Sequence, residues 1–257
     1  MIRELTFFGL TVATYTLMAI IAAITGAAMS WRPLRKTGLS AAGTILLLSV
    51  ICIAFLAGAR IWNVAANPDS YGPDRPWYTL QMNGLSMFGG ILGSTIAVSL
   101  FSVIKRIRLV KLLDIFTIPA AAAFCIARIG CFLNGCCYGK RTEMPWGVIF
   151  PSELDNIIPI VPIHRHAVHP TQIYELILAL IGIPMCLWLV KLFRAGAGGR
   201  FFIYGVWFST MRLVVHPFRL FPYSYTVTTY VYPIIYYVLI VIGIFLFVIS
   251  CRQDHSK

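Results

Sequence analysis

Apolar residues occur along this chain in seven long runs, which polar and turn-forming segments separate. Most of these runs contain roughly the 20 residues that an α-helix needs to cross a ~30 Å hydrocarbon core, and the sixth is the shortest. The pattern predicts an all-α membrane protein with about seven transmembrane helices in a single polytopic domain, 1–257. The predicted spans are 5–29, 40–59, 84–104, 112–133, 173–193, 201–215 and 230–250.

The longest connection between two runs extends from 136 to 171 and joins spans four and five. Its prolines and the Pro145-Trp146-Gly147 triplet predict an irregular backbone with room for a short amphipathic or strand segment. Connections of this length within one domain are usually functional. We therefore expect this loop to form a lid or to bind an acceptor molecule.

The composition changes this picture little, but it excludes one class of partner. The chain is 59% hydrophobic and only 12% charged, whereas about a quarter of the residues in soluble domains are charged. The formal net charge of +12 would suggest nucleic acid in a soluble protein. No basic stripe is interleaved with solvated aromatic residues here, so we expect no nucleic-acid partner.

The distribution of positive charge predicts an orientation. More than half of the 21 lysines and arginines lie in the loops after spans one, three, five and seven. Loops rich in lysine and arginine stay in the cytoplasm. The N-terminus is therefore expected outside and the C-terminus in the cytoplasm, which places the long loop 136–171 on the outer side.

Four arginines lie at or near the outer ends of these spans. Arg128 and Arg212 are intramembrane cations, and Arg60 and Arg219 lie near the outer interface. An arginine at such depth is costly unless it faces a polar cavity and has a partner. Guanidinium groups bind phosphate oxygens in a bidentate fork, so the arginines predict a phospholipid phosphate as ligand.

The alternative is a structural role, in which an arginine pairs with Asp114 or Glu175. Asp114 is a poor partner for Arg128, because it lies fourteen residues earlier in the same predicted helix. That separation corresponds to about 21 Å along the helix axis. Pairing with Glu175 stays open.

Two histidines accompany the arginines. His169 opens span five in a polar setting, where an imidazole could act as a general base, donate to a phosphate or contact the helix cap. His216 follows Arg212 by four residues, which predicts that both lie on one helix face. Either imidazole is a candidate for proton transfer at this end of the spans.

Glycines are concentrated in two places. Gly130 and Gly139 flank the polar end of span four, where backbone N–H groups could approach an anion. Ser86, Gly89 and Gly90 open span three. This density allows either close helix packing or a break in the helix where a ligand approaches. The sequence does not choose between the two interpretations.

Three of the seven cysteines lie among glycines and polar residues, namely Cys131, Cys136 and Cys137. They could be small packing residues, or Cys136 or Cys137 could be a working thiol whose pKa a nearby arginine lowers. A metal site with His169 is a third interpretation. The spacing matches no familiar zinc pattern and acidic ligands are scarce, so we predict neither metal nor cofactor.

The segment Arg128 to Gly139 reads R-I-G-C-F-L-N-G-C-C-Y-G. It resembles G-R-x-G-N-F-x-N-G-E-x-x-G of the prolipoprotein diacylglyceryl transferases. Five further segments resemble motifs of that family and occur in the family's order. They are Tyr15–Met18, Gly58–Arg60, Gly84–Gly90, His169–Glu175 and Arg212–Arg219. The resemblance covers nearly the whole chain.

The resemblance implies that diacylglyceryl is transferred from phosphatidylglycerol to the thiol of a lipobox cysteine in a secreted precursor. The products are a thioether and glycerol phosphate. It also implies a multi-pass protein of the bacterial inner membrane, surrounded by lipid, with its active site facing the outer side. Such a displacement at carbon needs a thiolate nucleophile and cations that stabilise the departing phosphate.

The residues and the resemblance together predict the site. The predicted catalytic residues are Arg128, Arg212, His169, Tyr15 and Cys136. The predicted substrate-binding residues are Arg60, Ser86, Gly89, Gly90, Gly130, Cys131, Asn134, Gly139, Gln172, Glu175, His216 and Arg219.

The chain departs from the family pattern at four polar positions. Phe88 replaces a histidine, Cys131 an asparagine, and Cys136 and His216 each replace a glutamate. The arginines are retained, so binding of a phospholipid stays the expectation. The acceptor and the base stay open. Alternatives are a divergent paralogue that uses its cysteines and another acceptor, and a phospholipid-binding protein or transporter without catalysis.

Overall fold

The computed structural model describes residues 4–7, 10–68, 71–72, 76, 78, 85–150, 166–220 and 226–254. These residues form seven α-helices, preceded by an antiparallel hairpin of β1 (Glu4–Phe7) and β2 (Leu10–Ala13). The helices are α1 (Thr14–Arg35), α2 (Ala41–Ala66), α3 (Met87–Lys105), α4 (Leu109–Asn134), α5 (Thr171–Leu192), α6 (Gly199–Val215) and α7 (Tyr232–Asp254). A 3₁₀ turn (His216–Phe218) follows α6, and a π-helical turn (Val227–Val231) leads into α7.

Six of the helical segments are long and apolar enough to cross a membrane: α1 to α5, and the segment Val227–Arg252 that contains most of α7. The remaining helix, α6, has 17 residues and is the shortest, as the hydrophobic pattern predicts. Large apolar side chains such as Ile53, Val103 and Val241 are exposed on the outside of the bundle, as lipid-facing positions would be. The predicted all-α, multi-pass membrane fold is confirmed.

The first helix does not begin where the hydropathy predicted. α1 starts at Thr14 rather than near Leu5, because Leu5 pairs with Val12 in the hairpin. A short apolar run is compatible with either a strand or a buried helix, so hydropathy alone could not place this boundary. α1 also continues past the predicted end to Arg35. In the long loop, the segment 151–165 lies outside the described residues.

α4 occupies the middle of the bundle. It packs against α1 along much of its length, against α5 at its other side, and also contacts α3 and α6. α2 packs mainly against α3, and α6 packs against α5 and α7. The C-terminal end of α4, which carries Arg128, is therefore enclosed by several helices. This position is what keeps its guanidinium away from lipid.

Asp114, the rejected partner of Arg128, caps another helix. Its carboxylate accepts hydrogen bonds from the backbone N–H groups of Gly198 (2.7 Å) and Phe201 (3.0 Å) at the start of α6. Such a cap satisfies N–H groups that have no partner within the helix. Gly198 has a φ of 93°, a conformation that glycine adopts without strain. Asp114 thus orients α6 from its N-terminal end.

The glycines of span three mediate close packing of α3 on α2. A Cβ atom on Gly89 would overlap the carbonyl oxygen of Gly58 and lie close to Trp62. A Cβ atom on Gly90 would lie 2.5 Å from the ring of Phe55. Small residues allow the backbones of membrane helices to approach in this way. Of the two interpretations left open by the sequence, the structure supports packing.

Replacement of Gly89 by alanine is expected to destabilise the protein, because the added methyl group meets rigid backbone. Overpacking of this kind typically costs about 1–3 kcal/mol. The thermal unfolding midpoint in detergent measures the effect. Gly205→Ala is the matched control, since a Cβ atom on this helical glycine meets nothing within 4 Å. Equal midpoints for the two variants would contradict the packing role.

Candidate functional site

Glu175 lies at the centre of a buried cluster of arginines. It belongs to the first turns of α5, and its side chain is 0% exposed. Its Oε2 atom lies 2.7 Å from Nε of Arg128, and its Oε1 atom lies 2.6 Å from Nη1 of Arg219. Arg212 also bonds Oε1 through Nη1. Guanidinium groups from α4, from α6 and from the segment after α6 therefore meet at one carboxylate.

The cluster carries excess positive charge. Three guanidinium groups surround one carboxylate, and the exposed fractions of the arginine side chains are 3% (Arg128), 14% (Arg212) and 12% (Arg219). Charges removed from water need compensation. Pairing with Glu175, which the sequence left open, occurs, but one carboxylate neutralises only one of the three cations. The surplus favours binding of an anion.

Arg128 retains donors for such an anion. Its Nη1 atom lies 4.0 Å from Sγ of Cys131, and its Nη2 atom lies 3.6 Å from Sδ of Met87. Its guanidinium carbon lies 4.7 Å from the centre of the Phe124 ring. Thiol and thioether sulfurs are weak acceptors. A phosphate oxygen would therefore improve the hydrogen bonding of both Nη groups.

Arg212 is held by aromatic residues of α7. Its Nε donates to the hydroxyl of Tyr236 at 3.2 Å. The ring of Tyr236 stacks on Tyr232, and Tyr232 makes an edge contact with Phe88 on α3. Trp62 then packs against Phe88 with ring centres 4.5 Å apart. Phe88 is thus part of an aromatic wall beside the arginine cluster.

The sequence interpretation missed Tyr232 and Tyr236. The signal available was their spacing of four residues at the start of the last apolar run, which places two phenols on one helix face. Thr171 was also missed, although it adjoins the predicted Gln172. Thr171 and Tyr232 are the first residues of α5 and α7, and Tyr236 lies one turn further along α7.

The first turn of α5 fixes the chain that follows α4. The hydroxyl of Thr171 donates to the carbonyl of Cys137, and Nε2 of Gln172 donates to the carbonyl of Cys136, both at 2.7 Å. Thr171 and Gln172 are fully buried. Cys137 has a φ of 63°, in the left-handed region where a residue other than glycine is strained. These hydrogen bonds hold the strained turn in place.

Gly139 joins three segments at the edge of the site. Its N–H donates to the carbonyl of His169 at 2.8 Å, and it pairs with Arg219 in an isolated antiparallel bridge. A Cβ atom here would overlap the carbonyl oxygen of Phe218 and lie 2.7 Å from Cβ of His169. Gly139 therefore determines how closely Arg219 approaches the end of α4.

Replacement of Gly139 by alanine is expected to push the backbone of Arg219 away and to lower stability by about 1–3 kcal/mol. Loss of the Arg219–Glu175 ion pair should accompany the loss of stability. The thermal midpoint in detergent and the protection of backbone amides around Arg219 in hydrogen exchange measure the two effects. Gly205→Ala again serves as control. Wild-type amide protection in the Gly139 variant would contradict this role.

Three sulfurs meet beside the arginines. The Sγ atoms of Cys131, Cys136 and Cys137 all lie within 4.8 Å of one another. Cys131 belongs to the last turn of α4, and the chain then reverses at Gly135, which has a φ of 70°. The reversal brings Cys136 back so that its thiol donates to the carbonyl of Cys131 at 3.7 Å. Linear spacing did not predict this cluster.

The thiol pKa values of Cys136 and Cys137, the two cysteines that follow α4, are shifted in opposite directions. The pKa of the Cys137 thiol lies well below its ordinary value, because the thiols of Cys131 and Cys136 donate hydrogen bonds to it and Arg219 and Arg128 add positive charge. Hydrogen bonding within the same cluster and burial raise the pKa of the Cys136 thiol. Cys137 is thus the most anionic member of the cluster.

Tyr15 and Gly130 connect α1 to this cluster. Tyr15, in the first turn of α1, interacts electrostatically with Cys131 and Arg128. A Cβ atom on Gly130 would lie 2.7 Å from Cβ of Met18, so Gly130 permits close packing of α4 on α1. Asn134 is the last residue of α4 and is half-buried.

Ser86 and Arg60 lie where α2 meets α3. Ser86 is buried and precedes α3, and its N–H donates to the carbonyl of Ala59 at 3.0 Å. Arg60 donates through Nη1 to the hydroxyl of Tyr71 at 3.5 Å, and that hydroxyl also bonds Asn63. The structure therefore ties Arg60 to the segment that follows α2, whereas the other three predicted arginines converge on Glu175.

His169 takes part in a short chain of polar aromatic groups. Its Nδ1 lies 3.1 Å from the hydroxyl of Tyr174, which accepts a hydrogen bond from Nε1 of Trp146 at 2.8 Å. The phenol can therefore donate to Nδ1 of a neutral imidazole. Burial lowers the pKa of His169, which favours the neutral ring. Phe218 packs against the same ring with centres 5.0 Å apart.

His216 lies at the C-terminal end of α6, where its N–H donates to the carbonyl of Arg212 four residues earlier. The helix ends at Val215, and His216 opens a 3₁₀ turn. The next residue, Pro217, has no N–H to donate and so ends the α-helical pattern. Burial and the positive charge of Arg212 lower the pKa of His216. The two side chains still influence each other, but the imidazole belongs to the connecting turn.

The fold and the site define a multi-pass membrane protein in which arginines of different segments surround one buried glutamate. A family profile described as prolipoprotein diacylglyceryl transferase matches residues 4–249. The chain belongs to this family, which confirms the resemblance read from its motifs.

Three relatives named phosphatidylglycerol–prolipoprotein diacylglyceryl transferase illustrate the similarity. The chain is 34% identical to the Clostridium tetani protein over 65% of this chain and 64% of the relative. It is 30% identical to the Synechococcus elongatus protein over 73% and 63%. It is 28% identical to the Clostridioides difficile protein over 84% and 86%. The chain thus spans less than two thirds of the length of the first two relatives.

Proposed function

We propose that this chain transfers the diacylglyceryl group of phosphatidylglycerol to the cysteine thiol of a prolipoprotein. The observation that carries the proposal is the surplus positive charge around Glu175. Phosphatidylglycerol is an anionic lipid whose phosphate becomes the leaving group. A site that binds this phosphate and stabilises its growing charge has the property that the reaction needs.

The arginines would share the work of binding and catalysis. In the reaction, the acceptor sulfur forms a bond to a glyceryl carbon, and the bond from that carbon to the phosphate oxygen breaks. Both electrons of the broken bond leave with glycerol phosphate. The guanidinium N–H groups of Arg128 and Arg212 stabilise the negative charge that develops on the departing phosphate. Because the site is buried, this interaction is stronger than it would be in water.

The acceptor is a lipobox cysteine of a secreted precursor, and the reaction takes place on the outer side of the inner membrane. The distribution of lysine and arginine among the loops supports this orientation. The two described ends of the long loop meet near the arginine cluster. Val148 and Val168 pair with each other there, and Gly139 contacts the start of α5. In this orientation a precursor would reach the arginine cluster beside these loop ends.

The test is an assay with purified protein in detergent, phosphatidylglycerol and a synthetic lipobox peptide. We expect release of glycerol phosphate together with a mass gain of one diacylglyceryl group on the peptide. A peptide with serine in place of its cysteine should gain no mass, and phosphatidylcholine should not replace the donor. A folded sample that binds phosphatidylglycerol but modifies no peptide would favour a lipid-binding protein without catalysis.

A further inference from the structure

The three sulfurs beside the arginines have the spacing of a metal site. The Sγ atoms of Cys131, Cys136 and Cys137 lie within 4.8 Å of one another. Two thiolates on one tetrahedral zinc ion lie roughly 3.8 Å apart, because each Zn–S bond is about 2.3 Å long. Small side-chain rotations would therefore bring all three sulfurs to one ion.

The backbone that carries these cysteines is already held in position. Gln172 and Thr171 bond the carbonyl groups of Cys136 and Cys137 from the buried first turn of α5. Cys137 is kept in a left-handed conformation, with a φ of 63°. Metal sites depend on supporting hydrogen bonds of this kind, which orient the ligands before the ion arrives.

The charge of the surroundings matches an anionic metal centre. A zinc ion with three thiolates carries a net charge of −1. The neighbouring cluster of three arginines and one glutamate carries +2, and Nη1 of Arg128 lies 4.0 Å from Sγ of Cys131. Buried charges are stable when they are paired. A zinc–thiolate centre would thus neutralise part of the surplus without displacing Glu175.

Within the described part of the chain, the grouping of metal-ligating side chains contains these three cysteines and no fourth member. Cys131 is buried, and Cys136 and Cys137 are half-buried. Structural zinc sites have four protein ligands, whereas catalytic sites have three and keep one position open. The arrangement therefore corresponds to the catalytic kind.

We propose that Cys131, Cys136 and Cys137 bind Zn²⁺ through three thiolates, and that the open fourth position binds the thiol of the acceptor cysteine. The second half of this proposal rests on the proposed transferase function. Coordination would deprotonate the acceptor thiol, since a metal-bound thiol loses its proton outright. The nucleophile would then lie beside Arg128, which holds the leaving group.

The step is balanced without a redox partner. The acceptor thiol releases its proton to water when its sulfur binds the ion. A lone pair of that sulfur forms the bond to the glyceryl carbon, and the carbon–oxygen bond breaks with its electrons on glycerol phosphate. The zinc ion stays divalent throughout. The thioether product is a weaker ligand than the thiolate and leaves, which reopens the fourth position.

Cobalt(II) titration of the purified protein tests the metal site. We expect one Co²⁺ per chain, with sulfur-to-cobalt charge-transfer absorption and the visible bands of tetrahedral coordination. Cys131→Ser, Cys136→Ser and Cys137→Ser should each weaken binding at least tenfold. Cys125→Ser is the matched control on α4 and should bind like the wild type. Absence of stoichiometric, sulfur-rich binding in the wild type would overturn the site.

Zinc X-ray absorption on the unmodified protein provides a measurement that no folding defect can imitate. We expect three sulfur neighbours at about 2.3 Å, and four after addition of the lipobox peptide. The peptide with serine in place of cysteine should leave the count at three. A count of three with either peptide would overturn the acceptor role. If the count rises to four but the peptide assay shows no transfer, the metal site and acceptor binding would be supported. The proposed transferase function would then be contradicted.

Discussion

Replacing Arg128 by alanine is expected to abolish diacylglyceryl transfer while the protein stays folded. The substitution removes two Nη groups whose hydrogen-bond partners among the described residues are sulfur atoms, which leaves them capacity for a phosphate oxygen. Removal of one preorganised donor from a charge-stabilising site typically lowers turnover by about 10²–10³-fold. Arg128 contributes several donors and a charge, so the loss should be at least this large.

The fold should survive because Glu175 keeps two partners. Arg212 and Arg219 still bond its Oε1 atom, and the cluster becomes less positive rather than more. The thermal midpoint checks this expectation beside the peptide assay. Arg128→Lys retains the charge but cannot form a fork with two parallel donors, and it should recover only part of the activity.

Arg141→Ala is the matched control for the Arg128 variants. Arg141 is an exposed arginine on the described part of the long loop. Its removal changes the net charge by the same amount without touching the cluster. Near-normal turnover in Arg128→Ala, or an equal loss in Arg141→Ala, would remove Arg128 from the mechanism.

The sequence was sufficient for the number of helices and for the members of the arginine cluster, but not for the start of α1 or for how the cluster comes together. Hydropathy placed the spans because a bilayer demands about 20 apolar residues in each. The sequence could identify the members of the cluster, because a charged residue inside a membrane span is costly and is usually functional. These members are Arg128, Arg212, Arg219 and Glu175. Their convergence on one carboxylate depends on how α4, α5 and α6 pack, and no local pattern encodes that distance.

Two further features show the same limit. The sequence around Gly89 would look the same whether this glycine packs against Gly58 or leaves space for a ligand. The position of the neighbouring helix α2 distinguishes the two. The spacing of Cys131, Cys136 and Cys137 resembles no metal motif, because the sulfurs meet through a chain reversal at Gly135. Linear spacing is informative within one helix but loses its meaning where the helix ends.

Replacing Glu175 by glutamine is expected to have the largest effect on stability. The side chain is fully buried, and its neutral isostere would remove the carboxylate that three guanidinium groups share. Removing one partner from a buried ion pair costs about 3–5 kcal/mol, because the remaining charge is uncompensated. Denaturant or thermal unfolding in detergent measures the loss. Glu143→Gln, at an exposed position, is the control.

A second substitution separates the charge effect from a simple loss of packing. If surplus charge is what destabilises Glu175→Gln, then adding Arg219→Gln should recover part of the stability, because one of the three cations of the cluster is gone. The coupling between the two sites should amount to about 0.5–3 kcal/mol in a double-mutant cycle. Phosphatidylglycerol should also stabilise the single variant more than it stabilises the wild type, since an anion replaces the missing carboxylate. Additive losses in the double variant, together with equal stabilisation by the lipid, would show that Glu175 acts through packing and that the arginines do not form an anion site.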